Sequence, residues 1–135
     1  RFACGTPPIL SLAALEGGVA ILAEAGASAI AAKARALGDL FIDRVGDVLE
    51  LVSPAEGQAR GGHVAFRHPD AYAIVQALIA RGVVGDFRDP DVMRFGLSPL
   101  PLSYVEVARA ADLLVEVVAS RAYDDPVYRV RAKVT

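Results

Sequence analysis

The stretch "VVGDFRDPDVMRFGL", Val83 to Leu97, decides the fold because its two halves are typical of strands joined by the tight turn "RDPD". Side chains alternate between the two faces of a strand. In the second half, one face is therefore apolar and carries Met93, Phe95 and Leu97, which predicts a strand packed on a core. The opposite face carries Arg94 between short neighbours.

Helical and strand periodicities follow one another along the chain in the order α-α-β-β-α-β-β-α. The predicted helices are Ile9–Ala25, Ser28 to about Val45, Asp70 to Gly82, and Ser103 to about Arg121. The predicted strands are Val48–Val52, His63–Arg67, Val83–Phe87 and Val92–Leu97. Hairpin-length connections favour antiparallel pairing. The sequence therefore predicts an α+β fold, in which two leading helices precede an antiparallel sheet of about four strands covered by helices on one face.

Four helix starts have candidate capping residues, and Asp70 is the candidate for the third helix. Thr6 precedes two prolines and is predicted to cap the first helix, which Gly26 should end. Ser28 is predicted to cap the second helix. Ser103 and Glu106 have the spacing of a capping box, which is the clearest helix-start signal in the chain.

Composition limits the class of protein. The chain has 135 residues, of which 54% are hydrophobic, and a formal net charge of −2. Without a basic cluster, we expect no nucleic-acid partner, and without a long uninterrupted apolar run we expect no membrane span. The single cysteine, Cys4, cannot form an internal disulfide, and we expect a cytoplasmic protein. The high apolar content and the opening "RFACGTPPIL" suggest part of a longer protein that packs on something further.

Candidate chemistry is sparse. Two histidines, His63 and His68, with one cysteine cannot assemble a common zinc set, so no metal is expected. No nucleophile motif or phosphate-binding glycine loop occurs, and no catalytic residue is assigned in this chain. Thr6 and Gly5 stand at a helix start, where a phosphate could bind, although an ordinary cap explains Thr6 equally simply.

Arg94 is the sharpest candidate. Its guanidinium is suited to bidentate pairing with a planar carboxylate, and Gly96 and Ser98 would leave room for such a ligand. The pattern alone also allows a solvated arginine on an open sheet face. Asp86 on the preceding strand could orient Arg94, although the strand register is not fixed by the sequence.

Several stretches together resemble the C-terminal part of bacterial members of the kynureninase family. They are "RFACGTPPILSLAALEGGVAIL", "LGDLFIDRV" and "GGHVAFRHPDAYAIVQALIARGVVGDFRDPDVMRFGLSPL", and the resemblance runs from Arg1 to about Val118. Kynureninases are fold-type I pyridoxal-phosphate enzymes, similar to the class V aminotransferases. The resemblance implies hydrolysis of kynurenine, or of 3-hydroxykynurenine, to anthranilate or 3-hydroxyanthranilate and alanine in tryptophan catabolism.

The resemblance also implies roles for single residues. Arg94 would bind the α-carboxylate of the amino-acid substrate. Thr6, with Gly5, would contact the phosphate of pyridoxal 5'-phosphate, typically across the interface of a homodimer. Neither Lys33 nor Lys133 matches the lysine that binds the cofactor covalently, which lies upstream in the family. The chain alone is therefore predicted to be inactive, as part of an enzyme completed by a missing N-terminal large domain.

The implied division has helices at 1–46 that pack on the large domain, a small α+β domain at 47–121 and a tail at 122–135. Two alternatives stay open. The chain could be the small domain of another class V aminotransferase-like enzyme, or a free-standing α+β module that binds a ligand or mediates dimers without catalysis. One departure from the family is that Leu100 is followed by Pro101, where relatives often have an aromatic residue.

Overall fold

A computed structural model describes residues 5 and 7–131 of the chain. The helices are α1 (Ile9–Ala25), α2 (Ala27–Val45), α3 (Ala71–Ile79) and α4 (Tyr104–Ser120). The strands are β1 (Glu50–Leu51), β2 (His63–Arg67), β3 (Asp86–Arg88) and β4 (Val92–Gly96). Short 3₁₀ turns lie at Gly46–Val48, Ala122–Asp124 and Pro126–Arg129.

The four strands form one antiparallel sheet in the order β1-β2-β4-β3. Helices α2 and α3 pack against one face of this sheet, and α4 packs against both helices. The other face of the sheet is not covered by any described helix. This arrangement confirms the predicted α+β fold, with an antiparallel sheet of four strands and helices on one face.

The core lies between the sheet and the helices. Met93, Phe95 and Leu97 are all buried there, which confirms the predicted apolar face of β4. Phe41 of α2 stacks on the ring of Phe95 at a centroid distance of 5.1 Å and packs against Phe66 of β2 at 6.0 Å. This aromatic cluster fixes α2 against the two central strands, so α2 is part of the domain core.

One predicted helix cap is wrong, because Gly26 and not Ser28 occupies the N-cap position of α2. Pro8 occupies that of α1, whereas Thr6 lies outside the described residues. Gly26 has a φ of +79°, which glycine adopts without steric cost, and its N–H donates to the Leu22 carbonyl at the end of α1. A single glycine thus ends one helix and begins the next, which leaves Ser28 inside the first turn of α2.

Two strands are shorter than predicted, each because a turn takes up the first residues. The 3₁₀ turn Gly46–Val48 includes the first residue assigned to β1. At β3, the Val83 N–H donates to the Leu78 carbonyl at the end of α3, so Val83 closes the helix instead of pairing in the sheet. The ladder begins at Asp86, which places Asp86 and Arg88 on one face of β3.

The capping box at α4 is confirmed. The Ser103 Oγ accepts a hydrogen bond from the Glu106 N–H, and the Glu106 carboxylate accepts one from the Ser103 N–H at 2.8 Å. These contacts satisfy two donors that a helix start otherwise leaves unpaired.

Replacing Ser103 with alanine should lower the free energy of unfolding by about 0.5–2 kcal/mol, because the first-turn N–H group of Glu106 loses its acceptor. Urea unfolding of the wild type and Ser103→Ala measures the difference. Ser120→Ala is the matched control, since the Ser120 hydroxyl bonds only to the Glu116 carbonyl within the same helix. Equal losses in both variants would contradict a specific contribution of the capping box.

The loop between β1 and β2 is anchored by a buried arginine. The Arg60 side chain is 2% exposed and donates to the carbonyls of Pro54 and Ala55 at 3.0 and 2.9 Å and to the Asp39 carboxylate. Its guanidinium lies against Gly38 of α2, where an added Cβ would stand 3.0 Å from Nε. Gly38 is therefore required by close packing.

Gly38→Ala should destabilise the chain by about 1–3 kcal/mol, because the new methyl group displaces a guanidinium held by three partners. Gly18→Ala in α1 is the matched control, since its Cβ meets no heavy atom within 4 Å. The control should be neutral or stabilising, because alanine favours helix. Thermal or urea unfolding of both variants compares them, and equal stability would contradict the packing argument.

Helix α1, which the sequence predicts to pack on a missing large domain, has no buried residue in the structure. Its large apolar side chains are exposed at Ile9, Leu10, Leu12, Leu15, Val19, Ile21 and Leu22. Within the described residues, no single helix has the length and apolar content to cross a membrane, and only the pair Ile9–Ala25 and Ala27–Val48, bent by 80°, meets both measures together.

The segment after α4 packs on α3 and joins the domain. Tyr123 is 4% exposed and belongs to the core. The Tyr72 hydroxyl donates to the Val130 carbonyl at 3.0 Å, and Arg129 pairs with Asp70 at 2.7 Å. The residues assigned to a tail by their polar sequence are thus packed as far as the structure describes them, whereas the division at residues 46 and 121 stays a prediction.

Candidate functional site

Arg94 lies at the centre of β4 on the uncovered face of the sheet. Its backbone neighbours are Ala65 of β2 and Asp86 of β3, which stand directly opposite it in the register. Its side chain is 35% exposed, whereas the flanking Met93 and Phe95 are buried on the other face. The alternation predicted for β4 therefore holds, and Arg94 points away from the core.

The residues beside Arg94 on the same face of the sheet have small side chains or none. Ala65 offers only a methyl group on the β2 side. A Cβ built on Gly96, two residues along the same face, would meet no atom within 4 Å. Neither neighbour therefore places a bulky side chain beside Arg94, and room for a planar ligand at Gly96 stays a prediction.

Asp86 binds Arg94 along one edge of the guanidinium. We call the edge formed by Nε and Nη2 the side edge and the edge formed by Nη1 and Nη2 the end edge. Both side-edge groups donate to the Asp86 Oδ2, Nε at 3.2 Å and Nη2 at a shorter distance. No described residue accepts a hydrogen bond from Nη1, so Nη1 and the second hydrogen of Nη2 stay available as a pair of donors on the end edge.

Arg88 completes the cluster. Its Nε donates to the same Asp86 Oδ2 at 3.0 Å, so one carboxylate oxygen accepts from two arginines. Two guanidinium groups and one carboxylate leave one net positive charge on this part of the sheet. We call Asp86, Arg88 and Arg94 the β3–β4 charge cluster.

The two arginines keep Asp86 ionised. The pKa of Asp86 is lowered from its ordinary value, first because Arg94 donates a hydrogen bond to it and further because of the positive charges of Arg88 and Arg94. A carboxyl group with a lowered pKa adds stability that is lost only as the pH falls through that pKa in the folded state. At neutral pH the cluster therefore carries all three charges.

Part of the predicted phosphate site lies outside the described residues. Thr6 lies outside the described residues, as do Cys4 and Lys133. Gly5 is described, is exposed and has a φ of +92° with no atom within 4 Å of a built Cβ, so its backbone is accessible to a ligand. The assignment of Thr6 and Gly5 to a cofactor phosphate stays a prediction.

The described residues do not form a pyridoxal-phosphate site by themselves. Their one lysine, Lys33, lies half-buried on α2 in a shallow depression beside Pro99 and Leu100, away from the β3–β4 charge cluster in sequence and on a different element. Within the same residues, no group of three or more histidine, cysteine or acidic side chains could hold a metal ion. The chemistry that the described part supports is binding of a carboxylate by Arg94.

Sequence reasoning missed Arg88, which it placed in the turn "RDPD". A strand that begins at Asp86 puts Arg88 two residues further on the same face. Asp86 and Arg88 are two residues apart, which places them on one face of a strand. The strand includes Arg88 only when Val83 is assigned to the end of α3 and the strand begins later.

The fold and the site together define a small α+β domain that presents Arg94, with Arg88 and Asp86 beside it, on the sheet face away from the helices. A family model described as the kynureninase C-terminal domain matches residues 30–114, a range that holds the whole sheet and the β3–β4 charge cluster. The chain therefore belongs to the kynureninase family.

Curated relatives agree with this membership. The chain is 43% identical over 140 residues to a kynureninase of Pseudomonas fluorescens and 41% identical over 140 residues to kynureninases of Burkholderia mallei strain SAVP1 and Burkholderia pseudomallei strain K96243. Each comparison covers 100% of this chain and 34% of the relative. The chain thus spans about a third of the length of the curated relatives it matches.

Proposed function

We propose that the chain is the C-terminal domain of an enzyme that hydrolyses kynurenine or 3-hydroxykynurenine to anthranilate or 3-hydroxyanthranilate and alanine. The observation that carries the proposal is the free end edge of Arg94, which lies on an uncovered face within the region shared with the family. Identity of 43% to a kynureninase along the whole chain supports the choice of reaction.

In this proposal Arg94 binds the α-carboxylate of the substrate. A planar carboxylate that approaches the end edge accepts from Nη1 and from the second hydrogen of Nη2, which is the bidentate geometry that arginine favours. Two hydrogen bonds fix the orientation of the carboxylate and hence of the bonds at Cα. The positive charge of the β3–β4 charge cluster attracts the carboxylate of the zwitterionic substrate before those bonds form.

The cofactor of the proposed enzyme is pyridoxal 5'-phosphate, which supplies an electron sink for the substrate when bound. Thr6 and Gly5 are proposed to contact its phosphate. The lysine that holds it is proposed to lie in the remaining two thirds of the polypeptide, because neither Lys33 nor Lys133 stands in a matching motif. This chain alone is accordingly expected to be inactive.

The exposed apolar helix supports a larger assembly. Leu10 is 87% exposed and Ile9 73%, values that are costly for a helix left in water. We propose that α1 packs on a large domain N-terminal to this chain and that the complete enzyme is a homodimer, in which Thr6 approaches the active site from the neighbouring subunit.

The function is tested on the full-length protein. Incubated with kynurenine and pyridoxal phosphate, it should release anthranilate, which fluoresces, together with one equivalent of alanine. A parallel assay with 3-hydroxykynurenine defines the preferred substrate. Formation of a 2-oxo acid with no anthranilate would instead support another class V aminotransferase-like activity, and absence of any turnover would favour a binding module.

A further inference from the structure

The β3–β4 charge cluster contains more than a ligand-binding arginine needs. Asp86 Oδ2 accepts from Arg94 at its side edge and from Arg88 Nε at 3.0 Å. A carboxylate so close to Arg94 would, by itself, compete with a substrate carboxylate for the same guanidinium. The presence of both Asp86 and Arg88 therefore calls for a physical explanation.

We propose that Asp86 is a positioning residue that holds the side edge of Arg94 so that the end edge faces the substrate carboxylate, and that Arg88 offsets the charge of Asp86. The inference rests on the proposed function, because it assigns roles to two further residues around the same Arg94. In this inference Asp86 sets the orientation of the Arg94 guanidinium, and Arg88 keeps the net charge of the cluster positive.

The orientation role follows from the register. Asp86 stands directly opposite Arg94 across the antiparallel pair of β3 and β4, whereas its neighbour on the other side is the apolar Ala65. Within the described part of the chain, Asp86 is the one side chain that hydrogen-bonds the Arg94 guanidinium. A flexible arginine loses conformational entropy when it binds a ligand, and an arginine already held at one edge loses less.

The charge role follows from simple addition. Arg94 with Asp86 alone would be a neutral pair and would attract the carboxylate end of the zwitterionic substrate only weakly. Arg88 restores one positive charge, and it does so from the outer part of the cluster, where its side chain is 61% exposed against 35% for Arg94. Arg88 can therefore raise the local potential while its hydrogen bond goes to Asp86 and not to Arg94.

Three variants of the full-length enzyme separate the two roles. Asp86→Asn leaves a cluster charge of two positives, Arg88→Gln leaves none, and the double variant restores one positive charge without the carboxylate. We expect Asp86→Asn to lower kcat by roughly 10- to 100-fold, because the carboxylate-binding edge is no longer fixed. Its KM should change little, because the added positive charge and the lost orientation of Arg94 act on KM in opposite directions. Arg88→Gln should instead raise KM by roughly 3- to 10-fold at low salt, an effect that shrinks as ionic strength rises.

The double variant gives the decisive comparison. Its KM should return toward the wild-type value, because the net charge is restored, whereas its kcat should stay as low as that of Asp86→Asn. Kynurenamine, which lacks the α-carboxylate, serves as the control ligand. Because it is a cation, its inhibition constant should not rise in Arg88→Gln as the KM for kynurenine does, whereas loss of the sheet structure would weaken the binding of both.

The outcomes distinguish this inference from the proposed function. If Asp86→Asn and Arg88→Gln both show wild-type kcat and KM while Arg94→Ala is impaired, the positioning and charge roles are refuted and the function stands. If Arg94→Ala has wild-type kcat and KM, this inference and the proposed role of Arg94 are both refuted. If circular dichroism shows that Asp86→Asn does not fold, the exposed Arg88→Gln still tests the charge role through KM. Asp86→Glu, which keeps the charge but shifts the carboxylate, then tests the orientation role through kcat.

Discussion

Replacing Arg94 with alanine in the full-length protein should lower kcat/KM for kynurenine by roughly 30- to 5,000-fold. Loss of a hydrogen-bonded charge pair typically costs about 2–5 kcal/mol. The pair lost here is the one between Arg94 and the substrate carboxylate. The side chain is held at its side edge by Asp86, so its removal also leaves Asp86 next to the approaching carboxylate as a like charge. Steady-state kinetics with anthranilate fluorescence as the readout measures the effect.

Two controls make this result specific. Arg94→Lys keeps the charge but lacks the planar fork, and we expect it to retain part of the affinity but to lose most of kcat. Arg44→Ala removes an exposed arginine that is paired with Asp112 at 2.8 Å on the helical side of the domain. It should have wild-type kinetics. An unchanged kcat/KM in Arg94→Ala would remove the assigned role.

Phe41→Ala should be the most destabilising core substitution, with a loss of about 3–5 kcal/mol in the free energy of unfolding. Phe41 is 1% exposed and its ring contacts both Phe66 and Phe95, so truncation opens a cavity between α2 and the two central strands. The loss is a large share of the roughly 5–15 kcal/mol that stabilises a typical domain.

Urea unfolding of the chain, followed by circular dichroism, measures this loss. Val84→Ala is the matched apolar control, because the Val84 side chain is 79% exposed and its truncation should change stability by less than about 0.5 kcal/mol. A Phe41→Ala variant as stable as the control would show that the aromatic cluster does not hold α2 to the sheet.

Much of the fold could be predicted from local signals. The apolar alternation of β4 and the capping box of Ser103 each depend on residues within one element, and both hold in the structure. The ends of elements could not be predicted as well, because they depend on competition between neighbouring turns. Gly26 serves two helices at once, and Val83 is drawn into the end of α3 by its bond to Leu78.

Long-range partners were beyond the reach of the sequence. Asp86 was recognised as a possible partner of Arg94, but only the register shows that the two stand opposite each other. Burial of Tyr123 depends on the path of the chain after α4, and the anchoring of Arg60 depends on Gly38 more than twenty residues away. In each case the sequence shows a suitable residue and the tertiary structure supplies its neighbour.

The edges of the sheet have a further consequence for solubility. At one border β1 offers only two residues for pairing, and at the other β3 offers three, of which Asp86 and Arg88 are charged. Short, charged borders resist the addition of strands from other molecules, which is a common route to aggregates. The residues we assign to ligand recognition therefore also help to keep neighbouring copies from joining their sheets.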